Sequence, residues 1–215
     1  MSAKKNIVLI GHSDKFISAF QHLFSDSLIT IIPWRKCLSY KLEKNNAFFG
    51  IAPSIIVVCG FDYKSYKYSY HDYLKKNVYD PLILIEKIVG SETLIFYVDT
   101  LNDKNKKTLS RYRYAKSLLG VKLRTRYKNF KRISPPVLLE SNGSPGVYGS
   151  QVTKFIFTVL IKARIVNALS YHGLINLIVD TFKNNSNQTI PIITPKWLEL
   201  PRSRFLDRIL RFIYG

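Results

Sequence analysis

The chain has 215 residues, 47% of them hydrophobic, and a mean hydropathy of -0.02, so one domain can bury a core. This composition excludes a disordered chain, and no apolar run approaches the ~18 to 20 residues of a membrane-spanning helix. Lys and Arg total 33 against 14 Asp and Glu, a formal charge of +19 that favours anionic partners. The basic residues are spread along the chain, which argues against nucleic acid as the main partner.

The amino terminus and the cysteines indicate where the protein is expected to work. The first residues lead directly into a six-residue apolar segment that is too short for the core of a signal peptide, so we expect a cytoplasmic protein. Cys37 and Cys59 have neither metal-ligand spacing nor a neighbouring histidine pattern. The sequence therefore predicts no metal site and no structural disulfide.

Short apolar runs rich in β-branched residues alternate with amphipathic segments along the chain. The predicted strands are 6–11, 28–34, 54–60 and 93–98, with a further extended stretch at 130–140. The predicted helices are 14–24, 73–89, 109–119, 151–166 and 174–182. Pro81 predicts a bend in the second helix. The alternation predicts an α/β fold with a Rossmann-like, doubly wound and mostly parallel sheet covered on both faces.

The turn after the first strand is a candidate phosphate site. In doubly wound sheets, ligands lie beyond the carboxyl ends of the strands, where a helix N-terminus and a close glycine backbone accept a pyrophosphate. Gly11 and Ser13 are the candidate residues there. The usual fingerprint has further glycines that this turn lacks, so an ordinary strand-to-helix turn stays open as the alternative.

Arg35 and Lys36 follow the second predicted strand. In dinucleotide-binding folds this position faces the adenosine ribose, and positive charge there accommodates a 2′-phosphate. The pair therefore favours NADP over NAD, with a solvated pair of basic residues as the alternative.

Tyr112 and Lys116 are four residues apart at the start of a predicted helix, so they share one face of it. An ammonium beside a phenol favours the phenolate, which makes the tyrosine usable as a general acid or base near neutral pH. The pair follows the buried strand predicted over 93–98 and the residues Asp99 and Thr100 just after it, and this location gives it weight over chance matches.

The order of these segments resembles the short-chain dehydrogenase/reductase superfamily, and particularly its extended, nucleotide-sugar epimerase/dehydratase-like branch. The resemblance rests on NIVLIG at 6–11, IIVVCG at 55–60, NVYDPLILIE at 77–86, LIFYVDT at 94–100, YRYAKSL at 112–118, ISPPVLLE at 133–140 and NALSYHGLINLIVDTF at 167–182. It implies that Tyr112 is the acid/base, that Lys116 holds the nicotinamide ribose, and that Thr100 orients the substrate. Asp99 is the alternative to Thr100 at that position. The candidate cofactor-binding residues are Gly11, Ser13, Arg35, Lys36, Gly60, Asn77 and Lys116.

The function that the resemblance implies is hydride transfer between NAD or NADP and a nucleotide-linked sugar, in a bacterial surface polysaccharide pathway. It also implies a cofactor-binding core at 1–141 and a reduced substrate lobe at 142–201. The two missing glycines keep an alternative open, a catalytically degenerate relative that binds a partner or a membrane surface.

Residues 202–215 form a predicted C-terminal extension with an amphipathic helix at 202–214. Its apolar face fits packing on the core or on a partner. Its arginines also fit binding to an anionic membrane surface. A peripheral location at the inner face of the membrane therefore stays open as an alternative. The sequence leaves a homo-oligomer open as well.

Overall fold

The computed structural model describes residues 5–37, 52–62, 68–99, 107–108, 111–147, 151–184 and 194–195. Thr100 and the segment 202–214, both singled out above, lie outside the described residues. The strands are β1 (Asn6–Ile10), β2 (Leu28–Ile32), β3 (Ile55–Val58), β4 (Leu94–Val98), β5 (Lys107–Thr108), β6 (Phe130–Ile133), β7 (Val137–Leu138), β8 (Ala168–Leu169) and β9 (Thr194–Pro195). The helices are α1 (Asp14–Leu23), α2 (Tyr70–Leu74), α3 (Asp80–Ile88), α4 (Arg111–Arg126), α5 (Gln151–Lys162) and α6 (Tyr171–Lys183).

Five strands form one parallel sheet in the order β2-β1-β3-β4-β6. Ile7 of β1 pairs with Ile29 on one side and with Ile55 on the other. The chain first moves outward from β1 to β2 and then returns to the other side of β1, so the order reverses between β1 and β3. The predicted Rossmann-like α/β fold is confirmed, and the reversal is the place where such sheets bind ligands.

Each face of the sheet has its own layer of helices, because successive strand residues point to opposite faces. On one side, Val8 and Ile56 pack with α2, α3 and α4. On the other side, Leu9 and Val57 pack with α1 and α6. Both faces of β1 and β3 are therefore buried, which explains why these strands are continuous apolar runs.

Helix α6 closes the second face of the sheet with fully buried Leu174 and Ile178, both 0% exposed. Replacing Leu174 by alanine is expected to lower the free energy of unfolding by about 2–4 kcal/mol, because it removes buried methyl groups and leaves a cavity. Urea unfolding measures the change. Leu177→Ala, on the same helix but only partly buried, is the matched control and should cost clearly less; equal losses would contradict this packing.

The helical segment predicted over 73–89 is divided into two helices just before Pro81. A π-helical turn, Lys75–Tyr79, joins α2 to α3, and Pro81 occupies the first turn of α3. The Asp80 amide donates to the Lys75 carbonyl, five residues earlier. Proline is tolerated in a first helical turn, where its missing N–H has no intrahelical role. The bend predicted at Pro81 stays a prediction.

The region after β4 also corrects two predicted boundaries. The extended stretch at 130–140 is two strands, β6 and β7, because the prolines between them cannot donate to a ladder. Helix α5 ends at Lys162, earlier than predicted. Of the twelve residues of α5, all of which the structure describes, none is buried, and Phe155 is 69% exposed. The predicted boundaries at 141 and 201 stay a prediction.

No helix within the described residues is both long enough and apolar enough to span a membrane.

Candidate cofactor-binding edge of the sheet

Two glycines lie in backbone contact where the strand order reverses. Gly11 has a φ of +116°, and a Cβ added to it would collide with the Cα and amide nitrogen of Gly60. The amides of Cys59 and Gly60 both donate to the Ile10 carbonyl, at 3.0 and 2.9 Å. A Cβ on Gly60 would in turn lie 2.7 Å from a ring carbon of Trp34. The close approach leaves bare backbone between β1 and β3, and both positions require glycine.

Adding a methyl group at Gly60 is expected to destabilise the protein by about 1–3 kcal/mol, since backbone atoms of Gly11 cannot move aside. Thermal unfolding of Gly60→Ala checks this. Gly143→Asn serves as the control, because Gly143 has open space around its Cα and asparagine tolerates its φ of +76°. An unchanged melting temperature for Gly60→Ala would contradict the close contact.

The turn from Gly11 into α1 presents mostly small or exposed side chains. Ser13 precedes the helix, and its hydroxyl makes no capping hydrogen bond within the described part of the chain. The side chains of His12 and Asp14 are 66% and 88% exposed. Phe16, where the fingerprint has a glycine, points into the core and is 4% exposed. The large side chain therefore does not stand at the edge of the sheet.

Lys15 reaches from the first turn of α1 to the segment after β7. Its Nζ donates to Glu140 Oε1 at 3.0 Å and lies 3.5 Å from the Leu138 carbonyl oxygen. A Cβ on Gly146 would collide with this ammonium. Lys15 thus links the phosphate-site turn to the loop that follows β7, and sequence analysis missed it because its partner lies 125 residues away.

Arg35 lies just beyond β2, in the 3₁₀ turn Trp34–Lys36, and forms a two-pronged ion pair with Asp62. Arg35 Nε and Nη2 donate to the two carboxylate oxygens at 3.0 and 2.9 Å. The hydrogen bonds to Asp62, then its negative charge, raise the pKa of Arg35 above its ordinary value. The structure adds Asp62 to the candidate site, since it follows β3 closely at the same edge of the sheet.

Asn77 lies in the π-helical turn and is fully buried. Its Oδ1 accepts from Trp34 Nε1 at 3.0 Å and from the Asp62 amide at 2.8 Å. Its Nδ2 donates to the carbonyls of Asp62 and Tyr73, at 3.3 and 3.2 Å. These four bonds use the donors and acceptors of the amide. Asn77 therefore connects Trp34 and Asp62 at the edge of the sheet, and its predicted contact with a cofactor stays a prediction.

Lys116 is buried at the carboxyl end of β4, 4% exposed. Its Nζ donates to the Val98 carbonyl at 2.9 Å and lies 5.4 Å from the ring centroids of both Phe61 and Tyr97. Burial lowers the pKa of Lys116 from 10.5 to about 8, and the charge of Asp99 opposes this shift. The cation is held between aromatic faces at the end of the strand where the resemblance placed it.

Tyr112 lies one helical turn before Lys116 and is half-buried. Its ring packs edge-to-face on Phe61, with 4.8 Å between the centroids and 87° between the planes. Phe61 follows Gly60 at the end of β3, so one aromatic ring contacts both Tyr112 and Lys116. The structure thus brings Tyr112, Lys116 and the glycine pair to the same edge of the sheet.

Asp99, the alternative to Thr100, forms a buried ion pair. Its Oδ2 lies 2.9 Å from Arg132 Nε, and the two side chains are 3% and 4% exposed. The Asp99 amide donates to the Ile133 carbonyl of β6 at 2.8 Å. Arg132 therefore holds the Asp99 carboxylate toward β6. The sequence pattern of β6 gave no reason to single out Arg132.

Burial raises the pKa of both Cys37 and Cys59 to about 12, which makes the thiols poor nucleophiles and poor ligands. Across the residues that the structure describes, no three His, Cys, Asp or Glu side chains are grouped so that they could hold a metal ion.

Comparison with solved structures identifies the fold. An L-threonine dehydrogenase from Phytophthora infestans matches 86% of this chain over 73% of its own length, at 12% identity and a TM-score of 0.51. A GDP-L-fucose synthetase from Naegleria fowleri matches 91% of this chain over 71% of its own length, at 12% identity and a TM-score of 0.54. The same synthetase solved with NADP gives a TM-score of 0.50. The chain has the Rossmann-like fold of these enzymes.

The resemblance that the sequence motifs indicated is thus confirmed for the fold of this Rossmann-like chain. No protein-family model and no curated protein sequence matches it.

The residues at the edge of the sheet fit a nicotinamide dinucleotide in three places. Gly11 and Gly60 offer bare backbone beside the start of α1. Lys116 carries a buried cation at the end of β4, and Arg35 carries a half-exposed guanidinium at the end of β2. Rossmann-type sheets place the pyrophosphate at the first of these positions and the adenosine ribose at the end of β2. The resemblance implies the nicotinamide ribose at Lys116.

Proposed function

We propose that the chain is an oxidoreductase that uses NAD or NADP and acts on a nucleotide-linked sugar or a similar anionic small molecule. The observation that carries this proposal is the position of Lys116. Among the described residues, the Lys116 ammonium donates to one backbone carbonyl; a buried lysine with so few partners is unfavourable for stability, and such groups cluster at functional sites. Tyr112 stands one turn away, and the bare glycine backbone lies at the neighbouring strand ends.

The bound nicotinamide would supply or accept a hydride. Tyr112 would donate or take up the proton at the reacting oxygen of the substrate through its hydroxyl group. Lys116 would hold the nicotinamide ribose and favour the phenolate form of Tyr112 by its positive charge. Phe61 would keep both side chains in place and exclude water from one side of the pair. Thr100 is proposed to orient the substrate, as the resemblance implies.

The net charge of +19 agrees with an anionic, nucleotide-linked substrate. The fold shared with a GDP-L-fucose synthetase supports the same substrate class, and a role in surface polysaccharide synthesis follows from it as part of the proposal. The test is oxidation of NADH or NADPH by the intact chain in the presence of a panel of nucleotide-linked keto sugars. Turnover with at least one of them is expected; no turnover, despite cofactor binding, would overturn the proposed activity.

A second candidate is a non-catalytic relative, and the Lys15–Glu140 pair favours it. This ion pair joins the first turn of α1, next to the turn where a pyrophosphate would bind, to the segment after β7. If it keeps the cofactor out, Glu140→Gln should create cofactor binding that the wild type lacks. Equal affinities of the wild type and of Glu140→Gln would remove the support for this candidate.

A further inference from the structure

The buried partner of Arg35 points to a role beyond a simple ion pair. The Asp62 side chain is 0% exposed, whereas the Arg35 side chain is 54% exposed. The carboxylate accepts from Arg35 Nε and Nη2 and also from the Tyr68 hydroxyl, at 3.1 Å. The buried carboxylate of Asp62 thus binds the exposed guanidinium of Arg35 from the core side.

The carboxylate itself is anchored to the fold. Asn77 bonds both the amide and the carbonyl of Asp62, and the same Asn77 oxygen accepts from Trp34, the residue before Arg35. Trp34 and the backbone of Asp62 are therefore connected through one buried amide, that of Asn77. This arrangement fixes the position of Asp62 relative to the end of β2.

Among the described residues, the ion pair with Asp62 leaves other N–H donors of the Arg35 guanidinium for a second anion. A guanidinium has five N–H donors in a rigid fork, and Asp62 uses two of them, on Nε and Nη2. Arginine held in this way binds phosphate by a second pair of parallel hydrogen bonds. Because the side chain is half exposed, a ligand at the end of β2 can reach it.

We propose that Asp62 is a positioning residue that orients Arg35 to bind the 2′-phosphate of NADP, and that the Asp62–Tyr68–Asn77 network sets the preference for NADP over NAD. The proposal rests on the proposed function, since it requires a dinucleotide at this edge of the sheet. Arg35 lies where the adenosine ribose sits in such folds.

The test uses two probes that carry only the adenosine half of the cofactor, adenosine 2′,5′-bisphosphate and adenosine 5′-monophosphate. Calorimetry on the full chain should give at least about tenfold tighter binding of the bisphosphate, as expected for a two-pronged phosphate contact. Asp62→Asn should remove most of this ratio and leave the affinity for the monophosphate unchanged. Tyr68→Phe, which removes one donor to Asp62 without touching Arg35, should lower the ratio less. Glu86→Gln, which removes a carboxylate from the exposed ion pair with Arg126 between α3 and α4, is the charge-matched control and should change neither affinity.

Each other result overturns the proposal. A ratio that rises in Asp62→Asn would mean that Asp62 masks Arg35, and an unchanged ratio would mean that it has no role in recognition. A parallel loss of both affinities in Asp62→Asn and Tyr68→Phe would mean a structural role only. Failure of the wild type to bind either probe would remove the adenosine site and the proposed function together. The expected ratios combined with no turnover on any sugar would leave this inference standing and overturn the catalytic proposal alone.

Discussion

Replacing Tyr112 by phenylalanine is expected to lower turnover by roughly 10²- to 10⁴-fold and to leave cofactor affinity within a factor of about three. The substitution removes the hydroxyl group that would exchange the proton and retains the ring that packs on Phe61. Steady-state oxidation of NADH or NADPH with a nucleotide-linked keto sugar measures turnover, and calorimetry measures affinity.

Tyr114→Phe is the matched control for this experiment. Tyr114 lies in the same helix, is also partly buried, and its ring is 6.4 Å from that of Tyr70. It should lose little turnover, because it is not part of the proposed pair. Comparable losses in both variants, or none in Tyr112→Phe, would contradict the role of Tyr112 as acid/base.

Replacing Lys116 by methionine is expected to have two opposite effects. Cofactor affinity should fall by at least about tenfold and turnover by about 10³-fold, since a charged donor to the ribose and the cation beside Tyr112 are lost together. The free energy of unfolding should rise at neutral pH by about 1–3 kcal/mol, because the buried ammonium is replaced by an apolar side chain of similar length.

The stability gain has a defined pH dependence. The pKa of Lys116 is about 8 in the folded chain and has its ordinary value of 10.5 in the unfolded one, so between these pH values the unfolded state binds the extra proton. The cost of burying the charge is complete below pH 8 and declines as the pH rises toward 10.5. The difference between Lys116→Met and wild type should therefore shrink from pH 7 to pH 10. Urea unfolding at both pH values measures it.

Lys122→Met is the control for both effects. Lys122 is in the same helix, partly exposed, with its Nζ 5.5 Å from the Tyr79 ring centroid. This variant should bind cofactor as the wild type does and should not gain stability. A Lys116→Met variant that is less stable than wild type at pH 7 would mean that the lysine is retained for packing and hydrogen bonding.

The sheet could be predicted from the sequence because its signals are local. Continuous apolar runs ending at Gly11 and Gly60 mark strands that are buried on both faces, and the helices between them carry one apolar face. The positions of Tyr112 and Lys116 at the edge of the sheet follow from the same order of elements. The close contact between the two glycines required the strand order, which no local signal contains.

The electrostatic partners at the site could not be predicted, because each joins distant parts of the chain. Arg35 and Asp62 are 27 residues apart, and Trp34 and Asn77 are 43 apart. Taken one at a time, Arg35, Asp62 and Asn77 look like ordinary charged or polar residues of a lysine-rich chain. The π-helical turn before Pro81 is similar: the Asn77 side chain makes four hydrogen bonds, and three of them are tertiary contacts with Trp34 and Asp62.

The most direct test of the account is calorimetric titration of the intact wild-type chain with NADP and with NAD, repeated on Lys116→Met. The account predicts binding of at least one cofactor in the micromolar range, weakened by at least about tenfold in the variant. No binding of either cofactor at millimolar concentration would contradict the assignment of this edge of the sheet as a nicotinamide dinucleotide site.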